Sequence, residues 1–233
     1  MSQYDQLYQP TPVAALDADA RGAFVTKTYL HLFGAIGVFT LIETFLVKSG
    51  FAEAFTMFLA RLPLSWLLVM AGFVGASWLA TRVAHTAQSL ASQYAALVGF
   101  LFVEAIVFSP LIFIANLKAD GLIGSAAGIT MIGFGILTGI VFYTRKDFSF
   151  LRTIVMWGGF LAMGAIGGAV IFNFQLGAWF CVAMIGVAGA AILYDTSNVL
   201  HHYPEDRYVG AALQLFASVA LMFYYVLSLL TRR

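Results

Sequence analysis

Seven long runs of mostly apolar residues, separated by short polar breaks, organise the chain. Each run has close to the ~20 residues that a helix needs to cross a hydrocarbon core of roughly 30 Å. Strands of a membrane barrel are about ten residues long and alternate strictly, and these runs do neither. The pattern therefore predicts an all-α integral membrane protein with seven transmembrane helices, at Ala23–Val47, Leu64–Thr81, Tyr94–Ala115, Leu122–Phe142, Leu151–Phe172, Ala178–Val199 and Tyr208–Leu230.

Two further segments lie outside these runs. Residues 51–63 are half apolar and too short to span, so we expect them to lie at the membrane interface. Residues 1–22 are polar, carry Asp5, Asp17 and Asp19, and lack the basic start and cleavage site of a secretory signal. We expect residues 1–22 to form a loosely ordered tail, followed by a transmembrane domain of residues 23–233.

The composition excludes several classes of protein. Hydrophobic residues make up 61% of the chain and charged residues 10%, which is far too apolar for a water-soluble enzyme. A net charge of +1 offers no basic face for nucleic acid. The single cysteine and the absence of HExxH and GxSxG motifs favour neither a metal site nor catalysis. We therefore expect no enzyme activity, no cofactor and no nucleic-acid partner, and the lipid bilayer as the main surrounding.

The distribution of Lys and Arg predicts the orientation. Cytoplasmic loops of membrane proteins carry an excess of these residues. With seven spans, seven basic residues fall on the side of the N-terminus: Arg21, Lys27, Arg82, Arg145, Lys146, Arg152 and Arg207. The opposite side holds five, which are Lys48, Arg61, Lys118, Arg232 and Arg233. This bias predicts that the N-terminus lies inside.

Three acidic residues fall within the predicted spans, and no Lys or Arg lies deep in any of them. Ionisable groups inside a membrane are costly and usually mark a site or a pathway. By depth, Asp195 lies near the inner end of its span, Glu104 near the middle and Glu43 near the outer end. If all three face the bundle interior, they form a rough ladder that favours cations or protons.

The sequence leaves the partners of these acids open. Glu43 is either an interfacial acid that reaches water or a partner of Lys48, and its place in the ladder is the alternative. Asp195 lies at a depth similar to that of Arg82, so the two form either a functional pair or a purely structural salt bridge. Glu104 is too deep for water, so it is hydrogen-bonded in its protonated form or belongs to a polar path.

Two further patterns concern histidine and glycine. His201 and His202 stand at the inner mouth of the sixth span, where they act either as a proton sensor or as a solvated loop pair. Small residues four apart let membrane helices approach closely. This spacing predicts tight helix packing at three pairs of glycines: Gly124 and Gly128, Gly135 and Gly139, and Gly164 and Gly168.

Four motifs occur in order on these spans. They are RGAFVTKTYLHL at Arg21–Leu32, FVEAIVFSPL at Phe102–Leu111, YTRKDFSFL at Tyr143–Leu151 and ILYDTSNVLHHY at Ile192–Tyr203. With these motifs the chain resembles the bacterial branch of the Bax inhibitor-1 family, also called the transmembrane Bax-inhibitor-motif proteins. The similarity continues through Tyr208–Leu230 and so covers nearly the whole chain after the polar tail.

The resemblance implies a bundle of seven helices in which the other six surround the last. It also implies a pH-sensitive calcium leak, with Ca²⁺ as the transported ion, across a bacterial inner membrane. In this family two aspartates on the last two helices share a proton, and an arginine from the second helix acts as a latch. Asp195 matches the first aspartate, which makes it a weak Ca²⁺ ligand candidate, and Arg82 matches the latch, but Ser218 stands where the second aspartate belongs.

This departure changes the expected gating. Serine can share a hydrogen bond with Asp195, but it does not titrate, so the coupled titration of two carboxylates is lost. We therefore expect a leak with modified and weaker pH gating, with the remaining sensitivity due to His201 and His202. The alternative function is a non-conducting regulator of a membrane-bound AAA protease or another membrane partner, with the polar tail as the point of contact.

Overall fold

A computed structural model describes residues 11–62, 71, 72, 74, 75, 78, 82 and 89–232 of the chain. The regular structure of this part is helical, apart from one isolated bridge between Pro12 and Pro204. A short 3₁₀ turn at Val13–Ala15 comes first. The α-helices that follow are α1 (Ala18–Lys48), α2 (Phe51–Arg61), α3 (Leu90–Lys118), α4 (Leu122–Thr144), α5 (Leu151–Ile171), α6 (Ala178–His201) and α7 (Tyr208–Thr231).

Six of these helices, all except α2, are long and apolar enough to cross a membrane. They begin and end close to the limits of six predicted spans, so the fold class of an all-α integral membrane protein is confirmed. The remaining predicted span, Leu64–Thr81, lies largely outside the described residues. The segment expected at the interface forms α2, a helix of 11 residues that packs against α1 and α3.

Local residues explain where several helices begin. The Asp17 side chain accepts a hydrogen bond of 2.8 Å from the backbone N–H of Ala20, which caps the first turn of α1. Ser89 caps α3 in the same way. Gly50 and Gly121 precede α2 and α4 with φ angles of 78° and 80°, which glycine adopts without steric cost. The two glycine turns therefore connect α1 to α2 through two residues and α3 to α4 through three.

Helix α7 occupies the centre of the described bundle. It packs against α1, α3, α4 and α6. In its most apolar stretch, 56% of the residues are buried, against 6% for α5. The predicted central position of the last helix is therefore confirmed. Helix α5 packs closely against α6 alone among the described helices, so it lies at the edge of the bundle rather than in a ring around α7.

The segment before α1 is packed onto the connection between α6 and α7. The Val13 side chain is fully buried, and its backbone N–H donates to the carbonyl of Tyr203 at 2.9 Å. The N–H of Glu205 donates to the carbonyl of Thr11 at 3.4 Å. The expectation of a loosely ordered tail is therefore wrong for residues 11–22, because their backbone pairs with a distant loop and α1 already begins at Ala18.

The predicted glycine pairs do not mark the tight helix contacts of the described residues. At five of these six glycines an added Cβ would meet no heavy atom within 4 Å, and at Gly168 it would meet only ring atoms at 3.9–4.0 Å. The close approach lies instead between α5 and α6. A Cβ on Gly158 would come within 2.8 Å of a methyl carbon of Val187.

Candidate functional site

Asp195 and Ser218 form a buried polar pair between α6 and α7. Each side chain is 7% exposed. The Ser218 hydroxyl donates to Oδ2 of Asp195 at 2.5 Å, at the short end of the range for hydroxyl–carboxylate bonds. The serine that replaces the second aspartate therefore still contacts the first. It supplies a donor, but it adds no second charge and no second titrating group.

The residues around this pair are mostly apolar and tightly packed. Ile192 precedes Asp195 by one turn, and Leu215 precedes Ser218 by about one turn, and both are fully buried. A carboxylate in such surroundings loses its hydration and depends on hydrogen bonds from the protein. The pair therefore links the central helix to α6 by a polar contact within a mostly apolar interface.

Tyr203, just beyond α6, lies close enough to Asp195 for their charges to interact. Burial raises the pKa of the Tyr203 phenol well above its ordinary value, Asp195 and Tyr194 raise it further, and the Arg207 guanidinium lowers it. Tyr203 is 4% exposed and is also the residue whose carbonyl holds Val13. A neutral phenol and an arginine thus lie near Asp195 on the side of the α6–α7 connection.

Arg82, the predicted latch, is described, but most of its span is not. Its guanidinium lies 5.3 Å from the centre of the Trp78 ring, within the range of a cation–π contact. The predicted pairing of Arg82 with Asp195 stays a prediction.

Glu104 lies in the middle of α3, as its position in the sequence indicated. Its side chain is 2% exposed, and Oε2 has no hydrogen-bond partner among the described residues. Phe100 and Phe108, one turn before and one turn after it on α3, pack against Phe216 and Tyr224 of α7. Glu104 therefore faces the central helix between these two aromatic contacts.

Glu43 is buried rather than interfacial. It is 5% exposed, and neither carboxylate oxygen has a hydrogen-bond partner among the described residues. It lines a cavity of about 350 Å³ between α1, α3, α4 and α7, which Lys48 and Thr130 also line. The described residues thus show neither an exposed Glu43 side chain nor an ion pair between Glu43 and Lys48. The reason is helical spacing, since Glu43 follows the buried Phe39 by four residues on the packed face of α1.

The described residues do not join the three acids into one cluster. Asp195 faces α7 from α6, Glu104 faces it from α3, and Glu43 faces the cavity beside α1. Rings from α1, α3 and α7 pack together at mid-depth, with Phe39 at 5.3 Å from Phe108 and 5.5 Å from Phe216 between ring centres. No group of three or more His, Cys, Asp or Glu side chains suited to a metal ion occurs in the part of the chain that the structure describes.

The C-terminal end of α6 contacts a polar network that the sequence analysis missed. Nε2 of His202 lies 3.4 Å from Oδ2 of Asp147, and Ser197 both accepts from the N–H of Phe148 at 2.9 Å and donates to Asp147 at 3.4 Å. The backbone N–H of Ser149 lowers the pKa of Asp147, and the two neighbouring histidines lower it further. Asp147 lies within the YTRKDFSFL motif, and this motif was the feature of the sequence that could have indicated the network.

Comparison with known proteins agrees with this architecture. The profile of the family described as inhibitor of apoptosis-promoting Bax1 matches residues 21–233. The modulator of FtsH protease YccA from Escherichia coli K12 is 28% identical over 82% of this chain and 86% of its own length. Bax inhibitor 1 from Schizosaccharomyces pombe is 27% identical over 97% of this chain and 82% of its own.

A third relative is a protein from Pseudomonas aeruginosa that carries no functional name. It is 29% identical over 72% of this chain and 76% of its own length. The family profile covers every described spanning helix from early α1 to the end of α7. The chain therefore belongs to the Bax inhibitor-1 family.

Proposed function

We propose that this protein is a cation leak, for Ca²⁺ in particular, whose closed state is held by the hydrogen bond between Asp195 and Ser218. The observation that carries the proposal is the buried bond of 2.5 Å between the last two helices. It occupies the position at which the resemblance places the gating pair of the family. Separation of α6 from α7 at this point would expose a carboxylate to a passing cation.

The charges of the spanning helices support a cation rather than an anion. Among the described residues, the buried carboxyl groups of the spanning helices are Glu43, Glu104 and Asp195, and no Lys or Arg is buried there. Ca²⁺ takes six to eight oxygen ligands at about 2.3–2.6 Å. One carboxylate and one hydroxyl are too few for tight binding, but they suit an ion that passes through and keeps most of its water.

The test is Ca²⁺ flux into liposomes that contain the purified full chain alone. We expect a measurable flux that Asp195→Asn lowers severalfold, because the amide keeps the shape and removes the charge. The matched control is Asp120→Asn, which makes the same change at an exposed position between α3 and α4. Absence of flux from wild-type liposomes, or equal effects of the two substitutions, would contradict the leak.

A second function is supported by one relative. The YccA protein, which aligns with 82% of this chain, is named a modulator of FtsH protease. By this likeness, the protein would regulate a membrane-bound protease from the inner membrane, with its N-terminus inside. The docked segment at residues 11–16 offers an ordered surface at the inner end of α6 and α7 for such a contact.

This alternative predicts a different set of results. Protease activity in a co-reconstituted membrane would change when the protein is added, and that change would depend on residues 1–22. Asp195→Asn would leave the effect intact if conduction plays no part in it. A protease effect without Ca²⁺ flux would favour the regulator, and flux without a protease effect would favour the leak.

A further inference from the structure

A basic cavity of about 400 Å³ opens at the inner end of the bundle, between α1, α4 and the end of α6. Its charged and polar lining includes Arg21, Arg145 and His201, and its apolar lining includes Val25, Phe142 and Leu200. None of the described carboxylates lines it. The combination of cationic groups at the rim and apolar groups below is not used by either function proposed above.

Arg21 is held in place by backbone carbonyls rather than by an acid. Its Nη2 donates to the carbonyls of Ala14 at 2.7 Å and Leu16 at 3.2 Å, and its Nε donates to that of Val13 at 3.2 Å. Carbonyl oxygens fix the direction of the guanidinium but leave its positive charge uncompensated. The docked segment before α1 therefore orients a full positive charge at the cavity.

Arg145 supplies a second positive charge from the opposite wall. It ends α4 in the left-handed conformation, with a φ of 50°, and its backbone N–H donates to the carbonyl of Val141. Arg145 is exposed. Its guanidinium makes no hydrogen bond or ion pair with the side chains or backbone of the described residues. A cation at the end of a helix is favoured by the helix dipole, and an arginine fork suits the oxygens of a phosphate.

His201, at the end of α6, lines the same cavity as the two arginines. Nδ1 of His201 lies 2.9 Å from the carbonyl of Ser197, and because a carbonyl only accepts, Nδ1 carries the proton. The nearest acid of the inner loop, Asp147, is already engaged by His202, Ser197 and Ser149. The side chains that line the cavity therefore include two positive charges and no negative one.

The apolar side of the cavity continues into an aromatic contact between α1 and α4. Phe142, which lines the cavity, packs against Tyr29 of α1 at 5.8 Å between ring centres, and Tyr29 also lies 6.3 Å from Phe134. Tyr29 bridges α1 and α4, which make no close backbone contact with each other. The cavity therefore combines a positively charged lining with an apolar lining, which suits a charged group with a short apolar continuation.

We infer that this cavity binds the phosphate of an anionic membrane lipid, with Arg21 and Arg145 on the phosphate oxygens. Basic pockets between membrane helices at the cytoplasmic side recognise such headgroups. The depth supports a lipid rather than a soluble anion, because the cavity lies at the inner end of three spanning helices and its lower lining is apolar. The glycerol and the start of an acyl chain would lie against Val25, Phe142 and Leu200.

The test measures lipid binding to the purified full chain in detergent by native mass spectrometry and by thermal shift. The probes are short-chain phosphatidylglycerol, phosphatidylcholine of the same chain length, and inorganic phosphate. We expect phosphatidylglycerol to bind more tightly than phosphatidylcholine. Arg145→Gln should weaken that binding by up to about fivefold, the size expected for loss of an exposed ion pair, and Arg145→Lys should restore part of it.

The matched control is Arg152→Gln, which removes one positive charge from an exposed position at the start of α5, outside the cavity. It should change the affinity for phosphatidylglycerol much less than Arg145→Gln does. Equal effects of the two substitutions, or equal affinities for the two lipids, would overturn the inference. Binding of inorganic phosphate without binding of phosphatidylglycerol would also overturn it, since the anion would then be a soluble one.

Discussion

At the scale of single residues, the pair of Asp195 and Ser218 sets the chemistry of the bundle centre. The hydroxyl at position 218 keeps the helices linked by a hydrogen bond, but it removes the second titrating group that the family places there. Position 218 therefore separates two properties, the strength of the α6–α7 contact and its response to pH. Two substitutions at this position test them one at a time.

Ser218→Ala tests the strength of the contact. The substitution leaves the buried Asp195 carboxyl without the donor at 2.5 Å, so we expect the free energy of unfolding to fall by about 1–3 kcal/mol. Thermal unfolding of the purified protein in detergent measures this loss. Ser125→Ala, at an exposed position of α4, is the control and should change little. Equal melting temperatures for the two variants would show that the hydrogen bond does not stabilise the bundle.

Ser218→Asp tests the response to pH. It restores two carboxylates at one site, whose titrations are coupled, so Ca²⁺ flux should become steeply dependent on pH between about 6 and 8. Wild-type flux should vary less over this range, and the variant His201→Ala/His202→Ala should vary least. A wild type that is already steeply dependent on pH, and that stays so without both histidines, would refute this account.

Asp147→Asn tests the polar network at the C-terminal end of α6. The pKa of Asp147 is lowered by folding, so its carboxylate stabilises the protein above its usual pKa near 4, and the contribution disappears as the pH falls through the lowered value. The group is half-exposed, so we expect a loss of at most about 1 kcal/mol at pH 7. Melting temperatures of wild type and variant should differ at pH 7 and converge as the pH falls below the lowered pKa of Asp147. A gap that persists in acid would rule out the charge as its cause.

The sequence predicted the identity of these residues better than their surroundings. The depth of Glu104 followed from its place in the span, and the contact of Asp195 with position 218 followed from the motif. The burial of Glu43 could not be predicted from the sequence, because distance from a helix end says nothing about which face of the helix its neighbours cover. Asp147 was missed because its partners, Ser197 and His202, come from a different part of the chain.

At the scale of helices, α5 and α6 are joined by a close contact at Gly158. A Cβ there would come within 2.8 Å of Val187, so Gly158→Ala should force the helices apart and cost about 1–3 kcal/mol in thermal unfolding. Gly159→Ala is the neighbouring control, because nothing lies within 4 Å of its Cβ. Its effect should be neutral or slightly stabilising, since alanine favours a helix over glycine by up to about 1 kcal/mol. Similar losses in both variants would argue against the contact.

The spans could be predicted because their length and apolar composition are local properties. The packing partners of each helix could not be predicted, because glycine spacing indicates where close packing is allowed and not which glycines lie at a helix contact. The packed segment before α1 was likewise hidden from the sequence. Its polar composition suggested a tail, yet its order comes from hydrogen bonds to residues 203–205, at the other end of the chain.

At the scale of the whole molecule, cysteine labelling tests the predicted orientation in the membrane. The excess of Lys and Arg predicts that the connection between α4 and α5 lies inside and that between α3 and α4 outside. In a Cys181→Ala background, an impermeant maleimide added to intact cells should therefore label Asp120→Cys and miss Lys146→Cys. Both positions are exposed, so access to the side chain does not limit the reaction. The opposite labelling pattern would invert the topology.

The central position of α7 also constrains the order of assembly. A ribosome releases the chain from its N-terminus, so the helix that fills the centre enters the membrane after the other described spanning helices. Until then, the faces of α1, α3, α4 and α6 that will contact α7 have no partner. The segment at residues 11–16 stays unpaired for almost as long, since its hydrogen-bond partners at 203–205 are synthesised just before α7. Filling of the core and docking of this segment are therefore late and nearly simultaneous events, and a nascent chain truncated before residue 203 can complete neither.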